Sequence, residues 1–243
     1  MVRTLEGMVC LVTGAGRGIG RAIALELARQ KARPILTSRS SGHLVQTAAA
    51  IKELTGLEPL CVQADLAKEQ AIDALVAKVG QAYQRLDALI NNAGVTFSGT
   101  IEQTPTSVWD HCMAVNARAP FILCRQFLPL LRNGTGRMII NISSVVGVKG
   151  YARQTAYTAS KHALRGFSIA LAEELAPEGI TVHVICPGGV DTDLVRQVRP
   201  DIPQDQLIRP EEIARVVIWL LASDGQGVVD EIRIRRRSAR PWF

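Results

Sequence analysis

Tyr157 and Lys161 stand four residues apart in the run Tyr157-Thr158-Ala159-Ser160-Lys161. On a helix this spacing puts both side chains on one face. A tyrosine that titrates near about 10 is a poor base at neutral pH. A neighbouring ammonium favours the phenolate and draws that value down. Tyr157 can then give a proton to a forming alkoxide or take one from an alcohol. Ser144 precedes Tyr157 by thirteen residues and leaves a strand-like run at its carboxyl end. There its hydroxyl can hydrogen-bond a substrate oxygen on which charge develops. Taken singly, each residue has an ordinary explanation: a packed tyrosine at a helix start, or a serine that caps a turn.

A second chemical feature lies near the start of the chain. The apolar run Met8-Val9-Cys10-Leu11-Val12-Thr13 leads into Gly14-Ala15-Gly16-Arg17-Gly18-Ile19-Gly20 and then a helical pattern. A glycine-rich turn between strand and helix lets the backbone approach a pyrophosphate, and the helix N-terminus offers unpaired N–H groups and partial positive charge. Glycines also mark ordinary turns, so the strand-before, helix-after context is what makes this a dinucleotide fingerprint. The end of the second strand reads Leu36-Thr37-Ser38-Arg39-Ser40, with no carboxylate. An acid at that place would hold a ribose 2′-hydroxyl and repel a 2′-phosphate. Arg39 offers the phosphate a charge-assisted fork, with Arg17 in the glycine turn beside it. The expected cofactor is therefore NADP(H).

These residues need a frame. Strand-like runs occur at 8–13, 34–38, 57–63, 88–91, 136–143, 181–186 and 228–234, separated by helical patterns at 18–30, 42–55, 68–84, 106–132, 157–175 and 210–222. Seven strands alternating with six helices imply right-handed βαβ units and a parallel sheet. The strands are nearly continuous apolar runs, as suits a sheet covered on both faces. No linker-like stretch or internal repeat interrupts the 243 residues. The expected architecture is one α/β domain, a doubly wound parallel sheet of Rossmann type with about seven strands flanked by helices.

Further motifs fall on this frame in order: Asn91-Asn92-Ala93-Gly94 after the fourth strand, Ser143-Ser144 closing the fifth, and Tyr157 to Lys161 opening a helix. With the glycine turn they make the chain resemble the short-chain dehydrogenase/reductase family over nearly its whole length. The resemblance implies hydride transfer between a nicotinamide cofactor and a carbonyl or alcohol. It implies a tetrad of Asn116, Ser144, Tyr157 and Lys161, in which the asparagine helps hold a water of a proton relay and the lysine also holds the nicotinamide ribose. It assigns Asp65 and Leu66 to the adenine, Asn92 with Ala93 and Gly94 to the cofactor ribose region, and Val190, after Pro187 and Gly188, to the nicotinamide amide. Within the family the chain is similar to 3-oxoacyl-acyl-carrier-protein reductases and to sepiapterin-reductase-like carbonyl reductases. A small-molecule carbonyl reductase is favoured; a cofactor-binding regulator without turnover is the alternative from another class. The family's substrate lid corresponds to residues 189–209, only about 20 residues, which implies an open site.

The remaining composition narrows the partners. The net charge is +6, and Arg233, Arg235, Arg236, Arg237 and Arg240 crowd into the tail. Without interleaved aromatics or a nucleic-acid module, this reads as a solvated or subunit-contacting tail, not a nucleic-acid site. His111, His162 and His183 are scattered, and Cys10, Cys61, Cys112, Cys124 and Cys186 lack ligand spacing, so no metal is expected. Buried free thiols, no apolar run near the roughly 20 residues of a membrane span, and no leader-like pattern at 1–7 point to a cytoplasmic protein. Asp191 and Asp193 read as solvated or turn-forming. Helices 106–132 and 157–175 resemble the family's paired dimer helices, so a homodimer is expected, with a tetramer the other possibility.

Overall fold

The computed structural model describes residues 3–241; Met1, Val2, Trp242 and Phe243, which include part of the leader reading and the end of the basic tail at 235–243, lie outside the described residues. Seven parallel strands form one sheet in the order β3-β2-β1-β4-β5-β6-β7. They are β1 (Val9–Thr13), β2 (Arg33–Ser38), β3 (Leu60–Gln63), β4 (Ala88–Asn91), β5 (Met138–Ile142), β6 (Thr181–Pro187) and β7 (Glu231–Ile234). The helices are α1 (Gly18–Arg29), α2 (Ser41–Thr55), α3 (Glu69–Ala82), α4 (Thr106–Met113), α5 (Ala119–Arg132), α6 (Thr155–Leu175), α7 (Asp193–Val198) and α8 (Pro210–Ala222). The chain runs outward from β1 to β3, then crosses back so that β4 pairs with β1 on its other side. That reversal opens a crevice at the carboxyl ends of β1 and β4, where doubly wound folds bind ligands.

Alternation along the strands builds two cores. Cys10 and Val12 of β1 face Ile23 and Leu27 of α1 and Ile213, Val217 and Leu221 of α8. Val9 and Leu11 face the other way, toward Leu75 of α3, Leu123 and Phe127 of α5, and Leu171 of α6. Each fully buried leucine, isoleucine or phenylalanine is worth about 1.5–3 kcal/mol of transfer free energy, which fixes the register of a sheet whose inner strands β1, β4 and β5 are buried on both faces. Asp87, just before β4, is fully buried. Its carboxylate accepts from the N–H of Val9 at 2.8 Å, of Thr135 at 2.6 Å and of Gly136 at 3.3 Å. Burial alone would raise its pKa, but these bonds outweigh it and hold the group below its ordinary value; the charge knits β1, β4 and the approach to β5 together.

The structure departs from the sequence pattern in several places. The helix expected at 106–132 is divided: a π-helical turn, Ala114–Arg118, joins α4 to α5 and carries Asn116. A π-turn of this kind is frequent at functional sites. The segment 189–209 contains α7 and a 3₁₀ turn, Gln204–Gln206. Strand β7 begins three residues later than the apolar pattern at 228 suggests, and Val228 is exposed. Finally, Cys61 is exposed while the other four thiols are buried, because it lies on the edge strand β3 with its side chain turned outward.

Candidate active site

The crevice is a cleft of about 920 Å³, within the range of sites for small ligands. Its floor at one end is the glycine turn. Gly14 has φ of +66°, a conformation that side-chain-bearing residues avoid. A Cβ on Gly20 would lie 2.3 Å from the Gly14 carbonyl oxygen and 2.5 Å from Asn92 Nδ2, and one on Gly16 would lie 2.7 Å from His43 Cβ. Strand, turn, β4 loop and α2 therefore close on one another only through hydrogens. Arg17 occupies the N-cap of α1 without making a side-chain cap, so the first N–H groups of the twelve-residue helix depend on other acceptors. Thr13 braces the turn from behind: its hydroxyl accepts from the N–H groups of Asn92 at 2.9 Å and Ala93 at 3.0 Å, and Asn92 Nδ2 donates to the Thr13 carbonyl at 2.8 Å. Thr13 and His43 escape sequence reading, since a single threonine or histidine in such surroundings has no signature.

At the other end, β5 delivers Ser144 and α6 delivers Tyr157 and Lys161. Ser144 caps the short turn Val145–Gly147 by accepting from Val146 N–H at 3.3 Å. It also hydrogen-bonds Tyr157. Lys161 is buried and donates from Nζ to the Ile142 carbonyl at 2.8 Å; Nζ lies 6.0 Å from the centre of the Tyr157 ring. Burial disfavours the charged form of each. It pushes the Tyr157 phenol up to about 12, outweighing the bond from Ser144, and it pushes Lys161 down to about 8. The lowered tyrosine pKa expected from sequence is thus reversed: desolvation exceeds the pull of an ammonium that is itself desolvated. The phenol keeps its proton at neutral pH, as an acid must.

Asn116 does not face the cleft. It is fully buried in the π-turn, and its amide brackets Val95, accepting from that N–H at 2.8 Å and donating to that carbonyl at 2.8 Å. Its Nδ2 also reaches Ser160 Oγ at 2.9 Å. A Cβ on Gly94 would lie 3.3 Å from Asn116 Oδ1 and 3.5 Å from Lys161 Nζ, so the three meet at the back wall.

Most sequence-selected residues line the cleft: Gly14, Gly16, Arg17, Gly18, Ile19, Ser38, Arg39, Asp65, Leu66, Asn92, Ala93, Gly94, Ser144, Tyr157, Lys161, Pro187, Gly188 and Val190. Ala15 does not. It is fully buried in the core beneath the turn, and its carbonyl accepts from Thr47. Asp193, at the start of α7, is exposed as the solvated reading expects, whereas Asp191 is half-buried, and each makes an ion pair. Asp193 pairs with Arg17 at 2.9 Å, and Asp191 with Arg196 at 2.7 Å. In the tail, read as solvated or subunit-contacting, Arg233, Arg235, Arg237 and Arg240 are exposed while Arg236 is half-buried, and Arg235, Arg236, Ala239 and Arg240 form part of the cleft lining.

The family model for short chain dehydrogenases matches residues 8–203. The chain belongs to the short chain dehydrogenase family. It is 34% identical to the uncharacterized oxidoreductase YxjF of Bacillus subtilis, with 93% of this chain and 96% of that one covered. It is 36% identical to the 3-oxoacyl-[acyl-carrier-protein] reductase FabG of Pseudomonas aeruginosa, covering 93% and 94%. Among solved structures, a metagenomic short-chain oxidoreductase in complex with NADP superposes with a TM-score of 0.83 at 35% identity, covering 97% of this chain and 100% of that one. Among the described residues no helix is long and apolar enough to cross a membrane.

Proposed function

We propose that this short chain dehydrogenase is an NADPH-dependent reductase of small-molecule carbonyl compounds, working reversibly, with Tyr157 as the proton donor. The observation that carries this reading is the meeting of Ser144, Tyr157 and Lys161 at one end of a cleft whose other end is a glycine cradle. The residues present fit a dinucleotide with a 2′-phosphate: the cradle admits a pyrophosphate, and Ser38, Arg39 and Arg17 line the cleft beyond β2 with no carboxylate on that strand end. The bound cofactor supplies the hydride. Ser144 orients the carbonyl oxygen by a hydrogen bond. Tyr157, protonated through neutral pH, gives its proton to that oxygen as charge develops on it. Lys161 and Asn116, adjoining at Gly94, hold the wall behind Tyr157 and lie where a relay to solvent would begin. Asp65 and Leu66 fit the adenine end, while Asn92, Ala93, Gly94, Pro187, Gly188 and Val190 fit the ribose and nicotinamide end.

The similarity to FabG favours one second reading, reduction of a 3-oxoacyl group carried on an acyl-carrier protein. For the whole of 1–243 we propose one cofactor-binding and catalytic domain. We also infer a homodimer through the α4–α5 and α6 faces, supported by the exposed Trp109, Phe121 and Ile169. The five unpaired cysteines fit a cytoplasmic location.

The test is NADPH oxidation with an aromatic diketone, acetoacetyl thioesters and simple aldehydes. Tyr157→Phe keeps the ring and removes the proton, so turnover should fall by roughly 10²–10⁴-fold while NADPH still binds. Equal turnover by Tyr157→Phe and the parent would refute the mechanism; NADPH binding without turnover by the parent would leave the regulator.

A further inference from the structure

Beyond β7 the chain does not leave the protein. Gly188 N–H donates to the Ile234 carbonyl at 2.7 Å, pinning the tail to the same strand end that carries Pro187 and Val190. Arg235 then holds the next residues in a curl, donating from one nitrogen to the carbonyls of Arg236, Arg237 and Ala239 at 3.2, 3.2 and 2.9 Å. The curl lays the Arg236 side chain along Gly189, where a Cβ would lie 3.3 Å from Arg236 Cδ and 3.6 Å from Nε. Arg236 is half-buried and lines the cleft. Its guanidinium donates to a neutral acceptor, Ser238 Oγ, at 3.1 Å.

The carboxylates around this rim are engaged elsewhere. Asp193 takes Arg17, and Asp191 takes Arg196 and Gln204. Asp201, which feels the charge of Arg236, receives Arg199 on both oxygens at 2.8 and 2.7 Å. Across the cleft Lys149 sets its ammonium 4.7 Å from the centre of the Tyr151 ring, and both residues line the same space. A partly desolvated guanidinium that, among the described residues, has no carboxylate in ion-pair contact favours an anionic group brought by a ligand.

We propose that Arg236, presented by the curled tail, selects carbonyl substrates that carry an oxyanion, a carboxylate or a phosphate. This rests on the reductase reading. In the reaction the cofactor's hydride goes to the carbonyl carbon and the Tyr157 proton to its oxygen, while the oxyanion stays unchanged against Arg236.

The experiment compares matched pairs with NADPH: acetoacetate against methyl acetoacetate, and dihydroxyacetone phosphate against dihydroxyacetone. The reading is the charged-to-neutral ratio of kcat/KM in the parent, Arg236→Gln and Arg236→Lys. One charge-assisted contact predicts a ratio about 10–100-fold higher in the parent than in Arg236→Gln, with Arg236→Lys between them. The pair that shows it tells carboxylate from phosphate. An unchanged ratio in both pairs, with turnover present, overturns the proposal and leaves the reductase standing. If no compound is reduced, the reductase reading fails on this panel. Calorimetry with acetoacetate and dihydroxyacetone phosphate on the NADP⁺-saturated protein then decides the anion site. Binding lost in Arg236→Gln supports it; no binding by the parent overturns it.

Discussion

Replacing Lys161 with methionine separates what the lysine costs the fold from what it does for the chemistry. The side chain is 3% exposed, and burial pushes its pKa from 10.5 down to about 8. Below pH 8 the group is charged in both folded and unfolded chains, and the folded state carries the whole desolvation cost. As pH rises through the folded pKa, the native chain loses this proton while the unfolded chain keeps it. Stability therefore climbs with pH from about 8 until the unfolded lysine titrates. At 1.36 kcal/mol per unit, roughly 2 kcal/mol is recovered between about pH 7 and pH 9.5. Methionine cannot titrate. The parent-minus-variant stability difference should thus shift by about 2 kcal/mol in the parent's favour over that interval. The lost bond to the Ile142 carbonyl and any change in packing act equally at both pH values and cancel. Urea unfolding of parent and Lys161→Met at the two pH values measures the shift. A difference that stays constant to within about 0.5 kcal/mol would refute the buried, depressed ammonium.

Two further outcomes follow from the cofactor end. Arg39→Ala should weaken NADPH binding about tenfold or more, the value of a charge-assisted contact, with little change for NADH; fluorescence titration showing an unchanged NADPH/NADH preference would sink the 2′-phosphate assignment. Gly20→Ala places a methyl 2.3 Å from the Gly14 carbonyl oxygen, so the turn must open. A loss of about 1–3 kcal/mol in thermal or urea unfolding is expected, together with weaker NADPH binding, and parental behaviour in both would contradict the closeness of that packing.

Sequence reasoning was strongest where a motif acts through its own backbone. The glycine turn and the Tyr157-to-Lys161 spacing carry their geometry with them, so a strand-before, helix-after pattern was enough to place them. The strand alternation likewise located all seven strands to within a few residues, because a doubly covered sheet leaves long apolar runs. What escaped were features set by tertiary approach. The Arg17–Asp193 pair spans 176 residues, and nothing local to either residue announces it. The half-burial of Arg236 has no local sign because the bond that brings its segment to the cleft, from Gly188 to Ile234, is made by backbone atoms without side-chain signature. The π-turn at Asn116 continues a helical pattern almost unbroken, so its extra residue is invisible to periodicity. The sign of the Tyr157 shift was missed for a related reason. A four-residue spacing shows that an ammonium is near, but desolvation depends on everything else that surrounds the pair.

The sheet order has a consequence for how the protein acquires activity. Strand β1 is complete by residue 13, yet one of its two partners, β4, begins at residue 88, and the cleft joins Gly14 to Arg236. Contacts so distant along the chain form late and slowly, since loop closure must precede any reward from pairing. No half of the molecule contains a working site, and a partly folded chain has either a cradle without an acid or an acid without a cradle. Recovery of turnover after dilution from denaturant should therefore lag the return of helical signal, making catalysis a clock for the final, longest-range step of folding.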